Sequence, residues 1–182
     1  MSTPLSLPPP SVALFALFAL GCPRHDVGAP CNHGALEPPR TPTVTFPALS
    51  CDQLLCVYAS SDEPPVTPCG SAADCNAIGA PDRFECLDGA CEVAATHVLS
   101  RSMCSRRCDS DADCEGGDLG TACETGFRCA RIQSLGDLCC EKLCVCRDDL
   151  DEISAVMRED ACATGRLEGC CDRDPVPDGC GQ

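Results

Sequence analysis

The sequence contains no tryptophan, one tyrosine (Tyr58), five phenylalanines and, among thirteen basic residues, a single lysine (Lys142). Aromatic side chains supply much of the buried area of an ordinary core, so a large conventional core is not expected. The net charge is −15. With no basic stripe to neutralise phosphates, a nucleic-acid partner is disfavoured, and the acidic surface keeps the body off anionic headgroups. No C-x-x-C occurs, which removes thioredoxin-type redox chemistry and the common zinc-finger spacings. G-x-S-x-G, H-E-x-x-H and a glycine-rich phosphate loop are also missing. His25 and His33 lie in a proline-rich stretch, and His97 lies between cysteine-rich segments. Carboxylates are plentiful, but nothing singles out one pair for hydrolysis. No catalytic residue and no cofactor is assigned, and a non-enzyme is expected.

What is abundant is cysteine, 21 residues in 182, above the roughly 8–10% that marks a disulfide scaffold. Small exported domains short of core use such cross-links, each worth about 2–4 kcal/mol in the chain-entropy account. The expected fold is small, disulfide-rich and mostly irregular, with short β-hairpins and one α-helix near residues 148–163.

Val12 to Leu20 is a nine-residue apolar run followed by Gly21 and Cys22. It is too short to span a bilayer, which takes about 20 apolar residues, but it fits the h-region of a signal peptide over residues 1–21. Ala19-Leu20-Gly21-Cys22 resembles the lipobox of bacterial lipoproteins, in which cleavage precedes the cysteine and acyl chains are attached to it. The resemblance implies lipidation at Cys22 and a membrane partner through that lipid. The alternative is an ordinary secretory signal cut at the same bond, leaving Cys22 for a disulfide. Removing Cys22 leaves 20 cysteines, an even number. Residues 22–50, with prolines at 23, 30, 38, 39, 42 and 47, read as anchor and extended tether.

Two segments look alike. Cys69-GSAAD-Cys75 is followed by Cys86-LDGA-Cys91, and Cys108-DSDAD-Cys114 by Cys123-ETGFR-Cys129. Gly89 and Gly126 suit tight turns, so each terminal pair is expected to close a hairpin-like loop. Unit 1 is placed at 51–98, including Cys51, Cys56 and the proline-rich loop Ser60 to Pro68, and unit 2 at 99–132, including Cys104. The pattern resembles cysteine-rich bacterial lipoproteins of myxobacterial type, to which no activity is assigned. In the remaining segment, 133–182, Cys139-Cys140 and Cys170-Cys171 are adjacent and Cys144-Val145-Cys146 is a third close set. Adjacent Cα atoms are about 3.8 Å apart, closer than the roughly 4.4–6.8 Å a disulfide takes, so each must reach a distant partner. Cys31, Cys162 and Cys180 complete the disulfide set. Between these sets, Leu150, Ile153, Met157 and Ala161 predict the apolar stripe of the helix, with Asp148, Asp149, Asp151 and Glu152 at its start and Gly165 at its end.

Asp109, Asp111 and Asp113 alternate as in the opening of a calcium loop, but Cys114 and Gly120 stand where that loop takes glycine and glutamate, so a solvated acidic turn is the simpler reading. The close cysteine sets would suit a thiolate metal cluster in a reducing compartment; the export signal favours disulfides. The function expected is a non-catalytic binding or structural module at the bacterial cell envelope, membrane-anchored or else secreted, with an envelope or extracellular protein as partner. A secreted enzyme or inhibitor, and then a metal-thiolate protein, are the alternatives.

Overall fold

A computed structural model describes residues 26–34, 37–77, 82–117, 123–167 and 170. Among these residues, three small antiparallel sheets, three α-helices and two 3₁₀ turns are tied together by nine disulfides. The expected fold class holds: short hairpins, one main helix near the C-terminus and much irregular chain between them.

The first sheet places β2 (Leu55–Tyr58) between β1 (Thr43–Thr45) and β5 (Met103–Ser105). Alternation along β2 sends successive side chains to opposite faces. Leu55 and Val57 enter an aliphatic cluster with Leu143, Val145 and Leu150. Cys56 packs among Cys31, Cys51 and Cys104, and Tyr58 meets Val93 and Val98. A small aliphatic core therefore exists, flanked by sulfur-rich clusters.

The second sheet is the hairpin of β3 (Phe84–Leu87) and β4 (Ala90–Val93). Asp88 and Gly89 have φ of 50° and 82°, the left-handed pair that a two-residue type I′ turn requires and that Asp-Gly supplies. The third sheet pairs β6 (Phe127–Arg131) with β7 (Lys142–Cys146). A lone two-stranded hairpin is marginal in water, and each of these is clamped by a C-x5-C turn. The turn at α1 (Ala72–Cys75) sends Cys69 to Cys86 and Cys75 to Cys91; the 3₁₀ turn Asp111–Cys114 sends Cys108 to Cys129 and Cys114 to Cys144. Cys86 opposes Cys91 and Cys129 opposes Cys144 in register. The aspartate before each second cysteine has one job: Asp74 accepts from the Gly70 and Ser71 amides at 2.9 and 2.8 Å, and Asp113 from the Asp109 and Ser110 amides at 2.9 Å each.

Several expectations are corrected. Cys123 and Cys129 do not close one loop: Cys129 bonds Cys108 and Cys123 bonds Cys146. β6 finds its partner strand beyond residue 132, so that boundary falls inside a hairpin. The boundaries at 50 and 98 are also crossed, by Cys31–Cys56 and by Cys51–Cys104 with the β2–β5 ladder. In its described part, the 22–50 stretch is no free tether: Val27 and Cys31 are buried and β1 pairs with β2. A buried valine and a disulfide outweigh the extended preference of the prolines. Adjacent cysteines do reach apart, Cys139 to Cys170 and Cys140 to Cys162. Cys22, Cys171 and Cys180 lie outside the described residues.

α2 spans Ala95–Arg101 and α3 spans Glu152–Ala163. α3 begins later than expected, because Arg147–Asp149 form a 3₁₀ turn and Asp151 caps the Ile153 and Ser154 amides. Its end is as expected, with Gly165 at φ 64° and the Arg166 amide bonded to the Ala161 carbonyl at 2.9 Å. The apolar stripe is different: Ile153 and Met157 are 72% and 59% exposed, while Ala155 and Cys162 face inward. The Cys140–Cys162 bond lies on the Ala155 side and fixes the helix's rotation.

Gly117 packs tightly against the sheet. A Cβ there would lie 2.5 Å from the Phe127 ring and 3.0 Å from the Val27 carbonyl oxygen. Phe127 is buried and cannot swing away, so Gly117→Ala is expected to cost about 1–3 kcal/mol by overpacking. The midpoint of thermal unfolding of the oxidised protein checks this.

Every cysteine among the described residues is paired. Disulfides persist in oxidising compartments, and this framework is that of an extracytoplasmic disulfide-rich module. Among the described residues no helix is long and apolar enough to cross a membrane.

Candidate functional site: a polar cleft beneath Tyr58

The chain's one tyrosine anchors its main buried polar cluster. Tyr58, fully buried at the end of β2, donates its hydroxyl hydrogen bond to Asp62, whose side chain is only 2% exposed. The Asp62 amide bonds the Arg40 carbonyl at 2.9 Å, which fixes the turn carrying the carboxylate. Arg83 Nε lies 3.2 Å from Asp62 Oδ1, and His97 Nε2, from α2, lies 3.4 Å from Asp62 Oδ2. The Tyr58 and His97 rings meet edge to face at 6.5 Å. The alternation of β2 aims Tyr58 here, and the four-residue spacing of His97 and Arg101 on α2 brings them to the same side.

A second pair stands alongside. Asp149, at the end of the 3₁₀ turn before α3, accepts through Oδ1 from Arg101 Nε at 2.7 Å and from Ser60 Oγ at 3.1 Å. Its Oδ2 is buried and has no hydrogen-bond partner, while His97 Nε2, equally buried, has the Asp62 carboxylate as its neighbour at 3.4 Å. Both residues line a cleft of about 520 Å³ between the Ser60–Asp62 turn, α2 and the start of α3.

Burial sets the titration of these groups. It pushes the Asp149 carboxyl up, against the pull of Arg101 and Ser60. It holds His97 below its ordinary value, with Asp62 opposing, and together with Asp62 it drives the Tyr58 hydroxyl well above the usual tyrosine range. At neutral pH the imidazole is neutral. Ser60 is bonded to Asp149, and Ser100 Oγ donates to the His97 carbonyl at 2.7 Å. Neither of these two hydroxyls is held against the imidazole, as a nucleophile and its base must be; Ser61 also lines the cleft.

The residues singled out from sequence go elsewhere. Asp113 caps its own turn; Asp111 accepts from the Cys129 amide at 2.8 Å and pairs with Arg147 at 3.1 Å. Among the described residues, the sets of potential ligand atoms close enough to share an ion are built on cysteines, and none includes Asp109, Asp111 or Asp113. Those cysteine sulfurs are all in disulfides, whereas metal binding takes the thiolate, so a thiolate cluster has no ligands there. Sequence reasoning missed Tyr58, Asp62, His97 and Asp149 as a group, since they span more than ninety positions with no repeating spacing. The one signal was scarcity: a lone tyrosine, and a lone histidine within the cysteine-rich body. Compared with protein-family models, with curated proteins and with solved structures, the chain matches none.

Proposed function

We propose that this chain is an exported, lipid-anchored, non-catalytic module that uses its disulfide-braced body to bind a partner at the cell envelope. The observation that carries the compartment is the complete pairing of the described cysteines. The nine bonds take eighteen of the 21 cysteines, and Cys22, Cys171 and Cys180 remain. Three is odd, so at least one of them has no partner within the chain, and acylation of Cys22 gives one a chemical use. In this reading the two C-x5-C hairpin clamps are copies of one unit, and together they hold rigid loops ready for a partner, which lowers the ordering cost of binding. The binding role is supported by the cleft, where polar side chains from the Ser60–Asp62 turn, α2 and the start of α3 converge.

The anchor is tested by expression with labelled fatty acid in a bacterial host. The wild-type protein is expected to incorporate label and partition into detergent, and Cys22→Ala is expected to lose both. Non-reducing peptide mapping is expected to link Cys171 to Cys180. A soluble, unlabelled wild-type protein beginning at Cys22 would remove the anchor while leaving export in place.

A further inference from the structure

We infer that the loop 46–52 is a membrane-contact surface, which lays Phe46 and Leu49 into the headgroup region of the bilayer that holds the lipid on Cys22. The inference rests on the anchored reading above and names the face that the anchor turns towards the lipid.

The loop exposes apolar side chains in a protein that has few large ones. Phe46 is 56% exposed and Leu49 is 89% exposed. Leu135, itself exposed, lines the same groove as Phe46. The loop is nevertheless held in one shape. The Ala48 amide donates to the Leu54 carbonyl at 2.7 Å, the Cys51 amide donates to the Ala48 carbonyl at 3.0 Å, and Cys51 is bonded to Cys104. Apolar side chains gathered at the surface of an ordered loop mark a contact surface, whereas single ones do not.

Charge sets the same strip apart. Residues 41–51 include no Asp, Glu, Lys or Arg, in a chain of net charge −15. An acidic body is repelled by anionic lipid, so an uncharged strip is where it can come close to a bilayer. Asp26 and Asp52 stand at the edge of the strip, and Arg24, between the anchor and the body, offsets one of them.

The second, independent observation is the length of chain between anchor and body. Cys22 is four residues from Asp26, a reach of at most about 14 Å. Asp26 is fastened to the loop: its carboxylate accepts from the Asp52 amide at 2.5 Å, and Ala29 packs in one cluster with Ala48. Just beyond Asp26, Val27 is buried and the Gly28 amide donates to the Cys104 carbonyl at 3.0 Å. Leu49 is three residues from Asp52, within about 11 Å along the chain. A small domain is about 30 Å across, so a lipid on Cys22 brings this side of the body to the bilayer. Apolar side chains on such a surface enter the boundary between headgroups and acyl chains.

The absence of tryptophan from the chain makes the test direct. Leu49→Trp reports on the loop, and Val66→Trp and Ile153→Trp, at positions 101% and 72% exposed, report on other surfaces. Each full-length variant is expressed with its lipid and reconstituted into phosphatidylcholine vesicles, with or without bromine on the acyl chains near the headgroups. Flotation with the vesicles reads the anchor, and quenching of the tryptophan reads the face. Leu49→Trp is expected to float, to emit further to the blue and to be quenched about two-fold or more by bromine. Val66→Trp and Ile153→Trp are expected to float and to keep the emission of tryptophan in water. Phe46→Trp, which keeps an aromatic ring in place, repeats the measurement and is expected to behave as Leu49→Trp does. Floating protein in which the two loop reporters are unquenched, or in which all four reporters are quenched alike, would overturn the inference and leave the anchor standing. Failure to float would overturn both. Blue emission from Leu49→Trp in the Cys22→Ala background without vesicles would assign the loop to contact with a second copy of the chain, and would also overturn the membrane contact.

Discussion

Reduction and alkylation of the body are expected to abolish its cooperative unfolding altogether, while the oxidised protein should show a sharp, high-temperature transition. The strands explain why. Both two-stranded sheets are of a length that is marginal alone, and each gains its order from a clamp of two crossing disulfides. In the chain-entropy account the 53-residue closure by Cys51–Cys104 is worth about 4 kcal/mol and the 16-residue closure by Cys75–Cys91 about 3. Nine such bonds exceed the roughly 5–15 kcal/mol by which a domain is normally stable, so the reduced chain has no margin left. The opposing contribution is the aliphatic cluster around Leu55, Val57, Leu143 and Val145. It is small, and the segments that build it are brought together through Cys56, Cys144 and Cys146. Calorimetry and the dispersion of amide NMR signals, before and after reduction, make the measurement. A reduced, alkylated chain that keeps a cooperative transition would show that the aliphatic cluster alone suffices. Before reduction, alkylation should leave all eighteen of the described cysteines unmodified.

The features legible in the sequence are those set by local chemistry. Asp88-Gly89 announces a type I′ hairpin, and the aspartate before Cys75 and before Cys114 marks a capped turn, because an aspartate side chain reaches amides three and four residues back. Gly165 ends α3 for a similarly local reason. The outward pairing of Cys139 and Cys140 follows from the length of one peptide unit. What was not legible depends on distant chain. β6 could not be matched with β7 from spacing, since the segment between them is longer than a hairpin loop and carries two cysteines bound elsewhere. The buried face of α3 could not be read from Ile153 and Met157, because a disulfide at Cys162 sets the rotation. Nor could the cleft be foreseen: Tyr58, Asp62, His97 and Asp149 meet only once β2 is pinned between β1 and β5 and the turn before α3 is laid against it. In a chain this poor in large apolar residues, the cross-links choose which surfaces meet, and their choice is not written in periodicity.

Asp62→Ala is expected to be among the most damaging substitutions in the cleft. The carboxylate accepts from Tyr58 and pairs with Arg83. Its loss leaves a fully buried hydroxyl without an acceptor and a guanidinium without its counter-charge. The Arg83 side chain is half exposed and can be hydrated, so the main cost is the unsatisfied hydroxyl, about 1–3 kcal/mol; for a chain of this size each kcal/mol moves the thermal midpoint by about 2–4 °C, so a drop of several degrees is expected. Asp62→Asn keeps an acceptor for Tyr58 and loses only the charge, and it should fall between wild type and Asp62→Ala. Tyr58→Phe leaves the Arg83 pair intact and should cost least of the three. The pH dependence supplies a separate check. Burial holds His97 below its ordinary value of 6.5, so the unfolded chain takes up the proton first. The stability that His97 contributes is therefore complete above pH 6.5 and is lost as the pH falls through its lowered folded value. Asp149, held above its ordinary value of 3.8 by burial, has the opposite sign: its contribution is complete below 3.8 and is lost as the pH rises through its raised folded value. In the wild type Asp62 offsets part of the effect on His97. Without Asp62 the imidazole is depressed further, so Asp62→Ala should lose stability more steeply than wild type on acidification below pH 6.5. Thermal midpoints of the oxidised proteins across that window decide the matter. Parallel curves, or an Asp62→Ala midpoint within a degree or two of wild type, would mean that Asp62 does not organise this cluster.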